Sequence, residues 1–479
     1  FPGEGTNLAH NLPLMANPHT DARAADLFNQ GAKRLWVSAP DLTASITWFQ
    51  QHKVSGRPLE REHVLAHRDV QLRTRPEPPF RPVSDEVRRK PSAWTTASPM
   101  TAVDRMFTAI VEANPHLRPR VGNPDEMLSN RLVETLGRLK FRVTDPEPAV
   151  PESVDGAVIT ALNEEAVASA ALANKGGINL IHTYEAFGSK MHGAIRQEVI
   201  FSNHCQEAGR PQRWLSVPLF LTSHTWENGK NEQSHQDPSM AEAMLGEPSH
   251  VSRVLFPGDF NQAAAVMEEV YRTHGQFWTV VAAKADVIPD LFTGTEARAA
   301  VRDGGLRLDW AGYTPDRSRI ILTAVGSYQL MDVLKASRRL AERKIAHSVV
   351  YLLEPGRFRA PRSVGEEAHR ASPEVTARLF PGKVPSRLFV THTRPETILG
   401  LLGPLHTGAA TAGLGYTNHG GTLSTQGMAF VNRCSWAHCL REAARLLQLP
   451  DAQVLSPDEC QALDGKRSPH GVIIPPITD

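Results

Sequence analysis

The chain has 479 residues, and its 52 lysines and arginines almost balance its 51 aspartates and glutamates. This length predicts two or three domains, and the near-zero net charge excludes a global field that attracts nucleic acid or a membrane surface. The four cysteines form no C-x-x-C pair. We therefore expect no metal-binding cysteines and no disulfide framework, and thiols that sit in a reducing cytoplasm. No apolar run reaches about 18 residues, so no transmembrane helix is predicted.

Residues 1–97 are predicted to be a connector. Helical periodicity runs through residues 22–51, and the proline-rich stretch 72–82 (LRTRPEPPFRP) forbids regular pairing and stiffens the segment. Ser98-Pro99 has the sequence of a helix N-cap followed by proline at the first helical position.

Residues 98–310 are predicted to form one α/β domain. Short β-rich runs alternate here with helical segments, and this alternation favours a parallel sheet. The predicted helices are 156–173, 240–245 and 260–273, and the predicted strands are 215–221, 251–256 and 278–283.

Residues 311–479 are predicted to form a second α/β domain. A strand at 320–324, a helix at 328–344 and a strand at 348–353 make a βαβ unit, and residues 388–390 continue the sheet. The charged segment 364–376 is predicted to be an exposed connection.

The most informative segment is the polar run Thr222–Pro238, TSHTWENGKNEQSHQDP. It follows the apolar segment 214–221, which is typical of a buried strand that feeds a loop. In α/β enzymes such loops carry the chemistry.

This run resembles the corresponding loop of the phosphoketolases, thiamine-diphosphate enzymes that cleave ketose phosphates with inorganic phosphate. Further segments resemble that family in the same order: EGTNLAHNLPLMANP (4–18), VGNPDEMLSNRL (121–132), HTYEAF (182–187), LFPGDF (255–260), VVAAK (280–284), GYTNHGG (415–421) and FVNRCSWAH (430–438). The resemblance implies a pyrimidine-side thiamine-diphosphate-binding domain and a transketolase-like C-terminal α/β domain, preceded by a linker. The glycine run 415–421 is expected to serve structure, because the family's third domain mainly supports the dimer.

The family's diphosphate-binding G-D-G segment is absent from the sequence. We therefore expect a first domain that holds thiamine diphosphate and Mg²⁺ to lie on a separate chain, a cleaved segment or a segment outside this sequence. No metal ligand is predicted here. The expected partner is a polypeptide that carries this domain, in a homo- or hetero-oligomer, and the chain alone is expected to be inactive.

The resemblance also implies the catalytic residues. Glu164 in LNEE matches the glutamate that hydrogen-bonds the cofactor's pyrimidine ring, and its neighbour Glu165 stays open as the alternative. His235 in SHQDP and His10 in AHN match two histidines near the cofactor and substrate, where imidazole suits proton transfer at neutral pH.

The substrate residues follow in the same way. A sugar phosphate and inorganic phosphate are the expected ligands, since guanidinium, ammonium and hydroxyl groups bind phosphate. The implied contacts are Ser129, Arg131, Tyr184, Asn228, Asn231 and Lys284. Asn228 stands where the family commonly has glutamine, and one further phosphate-binding arginine of the family has no counterpart.

Three functions stay open at this point. The leading hypothesis is a phosphoketolase-like lyase that gives acetyl phosphate and an aldose phosphate. The second is a transketolase-like transferase of specialised metabolism that passes a two-carbon unit to another acceptor. The third is a non-catalytic partner subunit.

Overall fold

The computed structural model describes residues 17–54, 70–124, 127–406 and 408–476. An eight-stranded sheet and a five-stranded sheet organise this part of the chain. The strands of the first sheet are β1 (Pro119–Asn123), β2 (Phe141–Arg142), β3 (Glu152–Ser153), β4 (Val158–Thr160), β5 (Ile178–Tyr184), β6 (Val217–Thr222), β7 (Ser252–Leu255) and β8 (Phe277–Val281). The strands of the second are β9 (Gly305–Arg307), β10 (Ile320–Val325), β11 (His347–Leu352), β12 (Ser386–Thr391) and β13 (Ala410–Leu414).

Helices cover both sheets and also occur in the described part of residues 1–97. Those before residue 210 are α1 (Ala22–Leu35), α2 (Ala39–Val54), α3 (Asp85–Arg89), α4 (Pro99–Ala113), α5 (Val133–Leu139), α6 (Glu164–Leu172), α7 (Glu185–Gly188) and α8 (His192–Glu207). Those after it are α9 (Ser239–Gly246), α10 (Phe260–Val270), α11 (Gly294–Asp303), α12 (Ser327–Glu342), α13 (Val364–His369), α14 (Pro373–Leu379), α15 (Pro395–Leu401), α16 (Gly403–His406), α17 (Thr425–Val431), α18 (Trp436–Leu447) and α19 (Pro457–Leu463).

The first sheet is parallel throughout, in the order β3-β2-β4-β1-β5-β6-β8-β7. Strands β5 to β8 are buried along their whole length. Burial on both faces explains why these strands read as continuous apolar runs rather than as alternating ones. The predicted parallel α/β sheet is confirmed, and β6, β7 and β8 start one or two residues from their predicted positions.

The second sheet has the order β13-β12-β10-β11-β9, and only its edge strand β9 runs antiparallel. The predicted strand–helix–strand unit corresponds to β10, α12 and β11. Because β9 pairs with β11, residues 305–307 already belong to this sheet. The domain boundaries at residues 97/98 and 310/311 stay predictions.

Two element predictions were wrong. The segment 156–173 was expected to be one helix, but β-branched Val158, Ile159 and Thr160 form β4, and α6 begins only after the N-cap Asn163. The segment 364–376 was expected to be a connection. It forms α13 and most of α14, which begin after the capping side chains Ser363 and Ser372.

The Ser98-Pro99 prediction is confirmed. The Ser98 side chain accepts a hydrogen bond from the Met100 amide, and Pro99 occupies the first turn of α4. The proline-rich stretch that precedes this helix packs along the first sheet's helices without joining a strand. There the Arg81 amide donates to Asn261 Oδ1 at 2.8 Å, and Arg81 pairs with Asp290 at 2.8 Å.

A buried ion pair joins the two sheets. Arg253 on β7 donates to Glu354, which follows β11, through Nε at 2.8 Å and Nη2 at 2.5 Å. His369 approaches the same carboxylate at 2.9 Å, and the guanidinium lies 3.8 Å from the centroid of the Trp278 ring. Burial alone would raise the pKa of Glu354, but the charges of Arg253 and His369 lower it on balance, so the carboxylate is ionised.

The helices of the described residues include none that is both long enough and apolar enough to cross a membrane.

We predict that Glu354→Gln lowers the free energy of unfolding by about 3 kcal/mol, because it leaves the Arg253 charge buried without its counter-ion. Urea unfolding at pH 7 measures this. Glu342→Gln is the matched control, since Glu342 pairs with Arg339 at an exposed position and should change stability by less than about 1 kcal/mol. Equal effects of the two substitutions would contradict the prediction.

Candidate active site

Loops that carry the predicted site residues or lie beside them leave the carboxyl ends of strands in the first sheet. They follow β1, β4, β5, β6 and β8, and in a parallel sheet these ends lie at one edge. The sheet order also places β1 beside β5, where the chain changes from adding strands on one side to adding them on the other. Such a switch point is where ligands bind in open α/β sheets.

Four predicted phosphate ligands meet at this edge. The hydroxyls of Ser129 and Tyr184 are 3.0 Å apart, and Lys284 Nζ lies 4.9 Å from the centroid of the Tyr184 ring. Arg131 Nε donates to the Lys284 carbonyl at 3.2 Å. Residues that are 155 positions apart at most thus lie together: Ser129, Tyr184 and Lys284 through side-chain contacts, and Arg131 through the Lys284 backbone carbonyl.

The guanidinium of Arg131 also pairs with a carboxylate. Its Nη2 lies 2.6 Å from Asp286 Oδ2, and about half of each side chain is exposed. Arg131 adopts a positive φ of 66°, which an arginine rarely does. The pair reduces the positive charge that this guanidinium offers to an anion.

His235 lies next to the same group. Its ring contacts the Phe187 ring edge-on at a centroid distance of 4.9 Å, and the Tyr184 ring is 6.5 Å away. Ser234 Oγ is 2.9 Å from His235 Nδ1, so the hydroxyl fixes the orientation of the ring. The imidazole is part-exposed and lies at the mouth of the loops.

The two predicted asparagines differ in their surroundings. Asn228 is buried, its carbonyl accepts from Gln236, and its Nδ2 finds no hydrogen-bond partner among the described residues. A buried donor without a partner is costly, and a ligand oxygen would satisfy it. Asn231 is exposed on the same loop, where its carbonyl accepts from Ser234.

Glu164 stands at the first position of α6, close to the same edge. Lys190 Nζ lies 3.2 Å from its Oε1 and 4.6 Å from the centroid of the Phe187 ring. The lysine therefore bridges the carboxylate to the aromatic side chain that contacts His235. Glu165 is exposed. His10 lies outside the described residues.

A buried polar cluster lies directly behind this edge and joins the sheets again. The Glu185 carboxylate accepts three hydrogen bonds: from the amide and hydroxyl of Thr225 at 2.7 and 2.8 Å, and from His392 Nε2 at 2.7 Å. The His224 ring packs at 4.9 Å from the His392 ring. Burial would raise the pKa of Glu185, but the charge of His392 and its hydrogen bond lower it on balance.

Glu227 connects the second sheet's helices to Lys284. Its carboxylate accepts from the Lys284 amide at 3.0 Å, the Ala285 amide at 3.1 Å and the Tyr328 hydroxyl at 2.9 Å. Burial and the charge of Glu227 raise the pKa of Tyr328 well above its usual value, so this hydroxyl stays a donor.

Sequence reasoning assigned no role to several of these side chains. Glu185, Phe187 and Glu227 lie inside segments that resemble the phosphoketolases, so position within those segments was the signal that could have found them. No local pattern marks Lys190, Asp286, Tyr328 or His392, because each is recognisable only by the partner that the fold brings to it.

Comparison with known proteins places the chain. The family model for D-xylulose 5-phosphate/D-fructose 6-phosphate phosphoketolase matches residues 101–273. Probable phosphoketolases from Bifidobacterium animalis subsp. lactis and Streptomyces coelicolor are 27% identical over 336 residues and 26% identical over 423 residues. Over these residues the chain is similar to the phosphoketolases. These alignments cover 65% and 83% of the chain but only 39% and 50% of the two relatives, so it spans half their length or less.

Solved structures share the fold of the chain. Transketolase from Leishmania mexicana matches with a TM-score of 0.56 at 14% identity, over 74% of the chain and 46% of that protein. A transketolase variant from Pichia stipitis matches with a TM-score of 0.56 at 16% identity, over the same shares. The two sheets thus have the transketolase-like architecture expected from the sequence.

We predict that Asp286→Asn strengthens binding of inorganic phosphate about 1.4- to five-fold, because an exposed ion pair withholds about 0.2–1 kcal/mol from a competing anion. Titration of the chain with phosphate, followed by ³¹P NMR, measures the affinity. Asp316→Asn removes an exposed charge that lies outside this edge and is the control. Equal affinity in Asp286→Asn and the unchanged chain would show that Arg131 does not contact the bound anion.

Proposed function

We propose that the chain is the pyrimidine-side and C-terminal part of a phosphoketolase-like carbon–carbon lyase. The proposed reaction converts a ketose phosphate and inorganic phosphate into acetyl phosphate, an aldose phosphate and water. A diphosphate-binding domain carried by another polypeptide or segment completes the site. The family match over residues 101–273 and the architecture of the two sheets support this proposal.

The observation that carries the proposal is the group of Ser129, Tyr184, Lys284 and Arg131 beside His235. Two cationic and two hydroxyl side chains gather at a strand-end edge, and these are the groups that bind phosphate in proteins. A phosphate monoester takes up charge-assisted hydrogen bonds from such a set. We assign these four side chains to the phosphate of the ketose or to the attacking phosphate.

His235 is assigned to proton transfer with the hydroxyls of the sugar. A general acid or base must lie within hydrogen-bond reach of the proton that it moves. This imidazole lies at the open end of the loops, next to the four proposed phosphate ligands, which are called the anion-binding group below. Because Ser234 Oγ is hydrogen-bonded to His235 Nδ1, we assign Nε2 as the nitrogen that faces a ligand. Asn228 and Asn231 on the same loop are assigned to sugar hydroxyls, and the buried amide of Asn228 offers the unsatisfied donor.

The residues fit the pyrimidine half of thiamine diphosphate, a cofactor that supplies a nucleophilic carbon for breaking the bond next to a ketone. A pyrimidine ring needs a carboxylate at its edge and an aromatic side chain against its face. Glu164 and Phe187, linked by Lys190, offer both. Lys190 is 59% exposed, so its pair with Glu164 is weak enough to open when a ring nitrogen takes its place. We assign the carboxylate to Glu164 rather than Glu165.

The diphosphate and Mg²⁺ are assigned to the other domain. Within the described residues, one set of three His, Cys, Asp or Glu side chains is spaced for a metal ion: Glu185, His224 and His392. That set is fully buried and rich in nitrogen, whereas Mg²⁺ prefers oxygen ligands together with phosphate oxygens. The subunits are therefore expected to form a homo- or hetero-oligomer in which the cofactor lies between domains.

A transketolase-like transfer of the two-carbon unit to an acceptor other than phosphate is the second candidate. The ion pair between Arg131 and Asp286 favours it, because a site with a partly neutralised arginine has less charge to hold a free phosphate ion. Acetyl phosphate that appears only when phosphate is present supports the lyase. A lengthened ketose that appears when an aldose is added, without acetyl phosphate, supports the transferase.

We predict that the purified chain binds thiamine diphosphate weakly and does not turn over, since the diphosphate would lack its ligands. Addition of a polypeptide that carries the diphosphate-binding domain, with Mg²⁺ and fructose 6-phosphate, should restore acetyl phosphate formation in a hydroxamate assay. Calorimetry that detects micromolar, Mg²⁺-dependent binding to the chain by itself would rule out the divided site.

We predict that Glu164→Gln, in the assembly that turns over, lowers kcat at least about 100-fold, which is typical of losing a positioned proton-transfer group. The fold should be unchanged, because the amide keeps the shape of the carboxylate and the pair with Lys190 is exposed. Glu165→Gln is the matched control at the next position of the helix. If Glu165→Gln causes the loss instead, the assignment is off by one residue.

A further inference from the structure

Two loops from different sheets contact each other beside the anion-binding group. The first, named here the histidine loop, is Asn228–Pro238 after β6, and it carries His235. The second, the glycine loop, is Gly415–Leu423 after β13. Gln236 Nε2 donates to the Gly421 carbonyl at 3.0 Å, and the Gly421 amide donates to Gln236 Oε1 at 3.1 Å. The Gln236 amide is fully engaged and only 2% exposed.

Further hydrogen bonds hold the residues on each side of His235. The Tyr416 hydroxyl donates to the Gln236 carbonyl at 2.7 Å, and Gln233 Nε2 donates to the Asn418 carbonyl at 2.8 Å. Burial raises the pKa of Tyr416, so the hydroxyl remains protonated and donates. The glycine loop is therefore hydrogen-bonded to the histidine loop two residues before and one residue after His235.

Two glycines permit this close approach. A Cβ on Gly420 would lie 2.1 Å from Gln236 Oε1, and a Cβ on Gly229 would lie 1.9 Å from the Leu423 carbonyl. Real Cβ atoms do not approach other atoms so closely. Each loop thus lacks a side chain where it meets the other, at the Gln236 side chain for Gly420 and at the Leu423 backbone for Gly229.

The glycine loop is itself fixed from behind. Asn432, which is buried, accepts from the Thr417 amide at 2.8 Å and the His419 amide at 3.2 Å, and its Nδ2 donates to the His419 carbonyl at 2.8 Å. A loop held at three points by a buried amide is a rigid surface, whereas the histidine loop has only two short 3₁₀ turns and a positive φ at Glu232. The rigid loop can therefore impose its geometry on the other.

We propose that the glycine loop is a positioning element for His235, so that the second sheet's unit sets the geometry of the active site. The assignment of His235 to proton transfer rests on the proposed function. The glycine run, expected from the sequence to serve structure, would then also act on the active site. A proton-transfer group misplaced by about 1 Å loses about 100-fold in rate, so a clamp of this kind is worth a large factor in kcat.

The test compares Gly420→Ala, which forces Gln236 away, with Gly382→Ala, whose Cβ would meet nothing within 4 Å. Tyr416→Phe removes one clamp hydrogen bond without adding an atom, and it serves if Gly420→Ala does not fold. Hydrogen–deuterium exchange of the full chain, followed on peptides that cover residues 228–238, reports the loop without any need for turnover. We expect exchange about ten-fold faster in Gly420→Ala and Tyr416→Phe, and unchanged in Gly382→Ala.

Kinetics of the assembly that turns over then separate positioning from support of the fold. We expect Gly420→Ala to lower kcat about 10- to 100-fold. The KM for phosphate should stay within about two-fold of its value in the unsubstituted assembly, because the anion-binding group lies on other loops. Unchanged exchange in both variants overturns the proposal, and so does faster exchange with unchanged kcat. If the unsubstituted assembly turns over no ketose phosphate, the proposed function fails, and exchange alone then decides whether the clamp exists.

Discussion

Parallel strands deliver their carboxyl ends to one edge of a sheet, and the rest of this molecule depends on that constraint. The loops after β1, β4, β5, β6 and β8 must therefore lie at the same edge of the sheet. Side chains from Ser129 to Lys284 therefore meet although 155 positions separate the outermost two. The sheet that produces this convergence is buried on both faces, so apolar packing, rather than the polar loops, supplies its stability.

Polar contacts rather than apolar packing alone set how the second sheet meets the first. Glu185 with His392, Arg253 with Glu354 and Glu227 with Tyr328 each join the two, and all three lie at least partly buried. A buried carboxylate tolerates few arrangements of its donors, because an unmatched charge in the interior is costly. These pairs therefore fix one orientation of the sheets. The glycine loop reaches the histidine loop because that orientation is fixed.

The features that could be predicted from the sequence are those that have a local sequence signal. The buried strands, the Ser98 cap and the order of the family-like segments are local, and together they predicted the fold and the meeting of Ser129, Tyr184 and Lys284. The strand β4 was missed because three β-branched residues are too short a run to interrupt a helical pattern. Asp286, Lys190 and His392 carry no local mark, since a pairing partner is defined only by the residue that the fold places beside it. The same holds for the glycine loop, whose function lies in what it touches.

The central claim is that one anion site exists at this edge, formed by Ser129, Tyr184, Lys284 and Arg131. The most direct measurement is a crystal structure of the chain soaked with tungstate, in which anomalous scattering locates the anion without assumptions about the reaction. The account predicts a peak within hydrogen-bond distance of Ser129 Oγ and Lys284 Nζ, with the Arg131 guanidinium turned from Asp286 toward it. A peak bound elsewhere, with the Arg131–Asp286 pair intact and this edge empty at saturating tungstate, would contradict it.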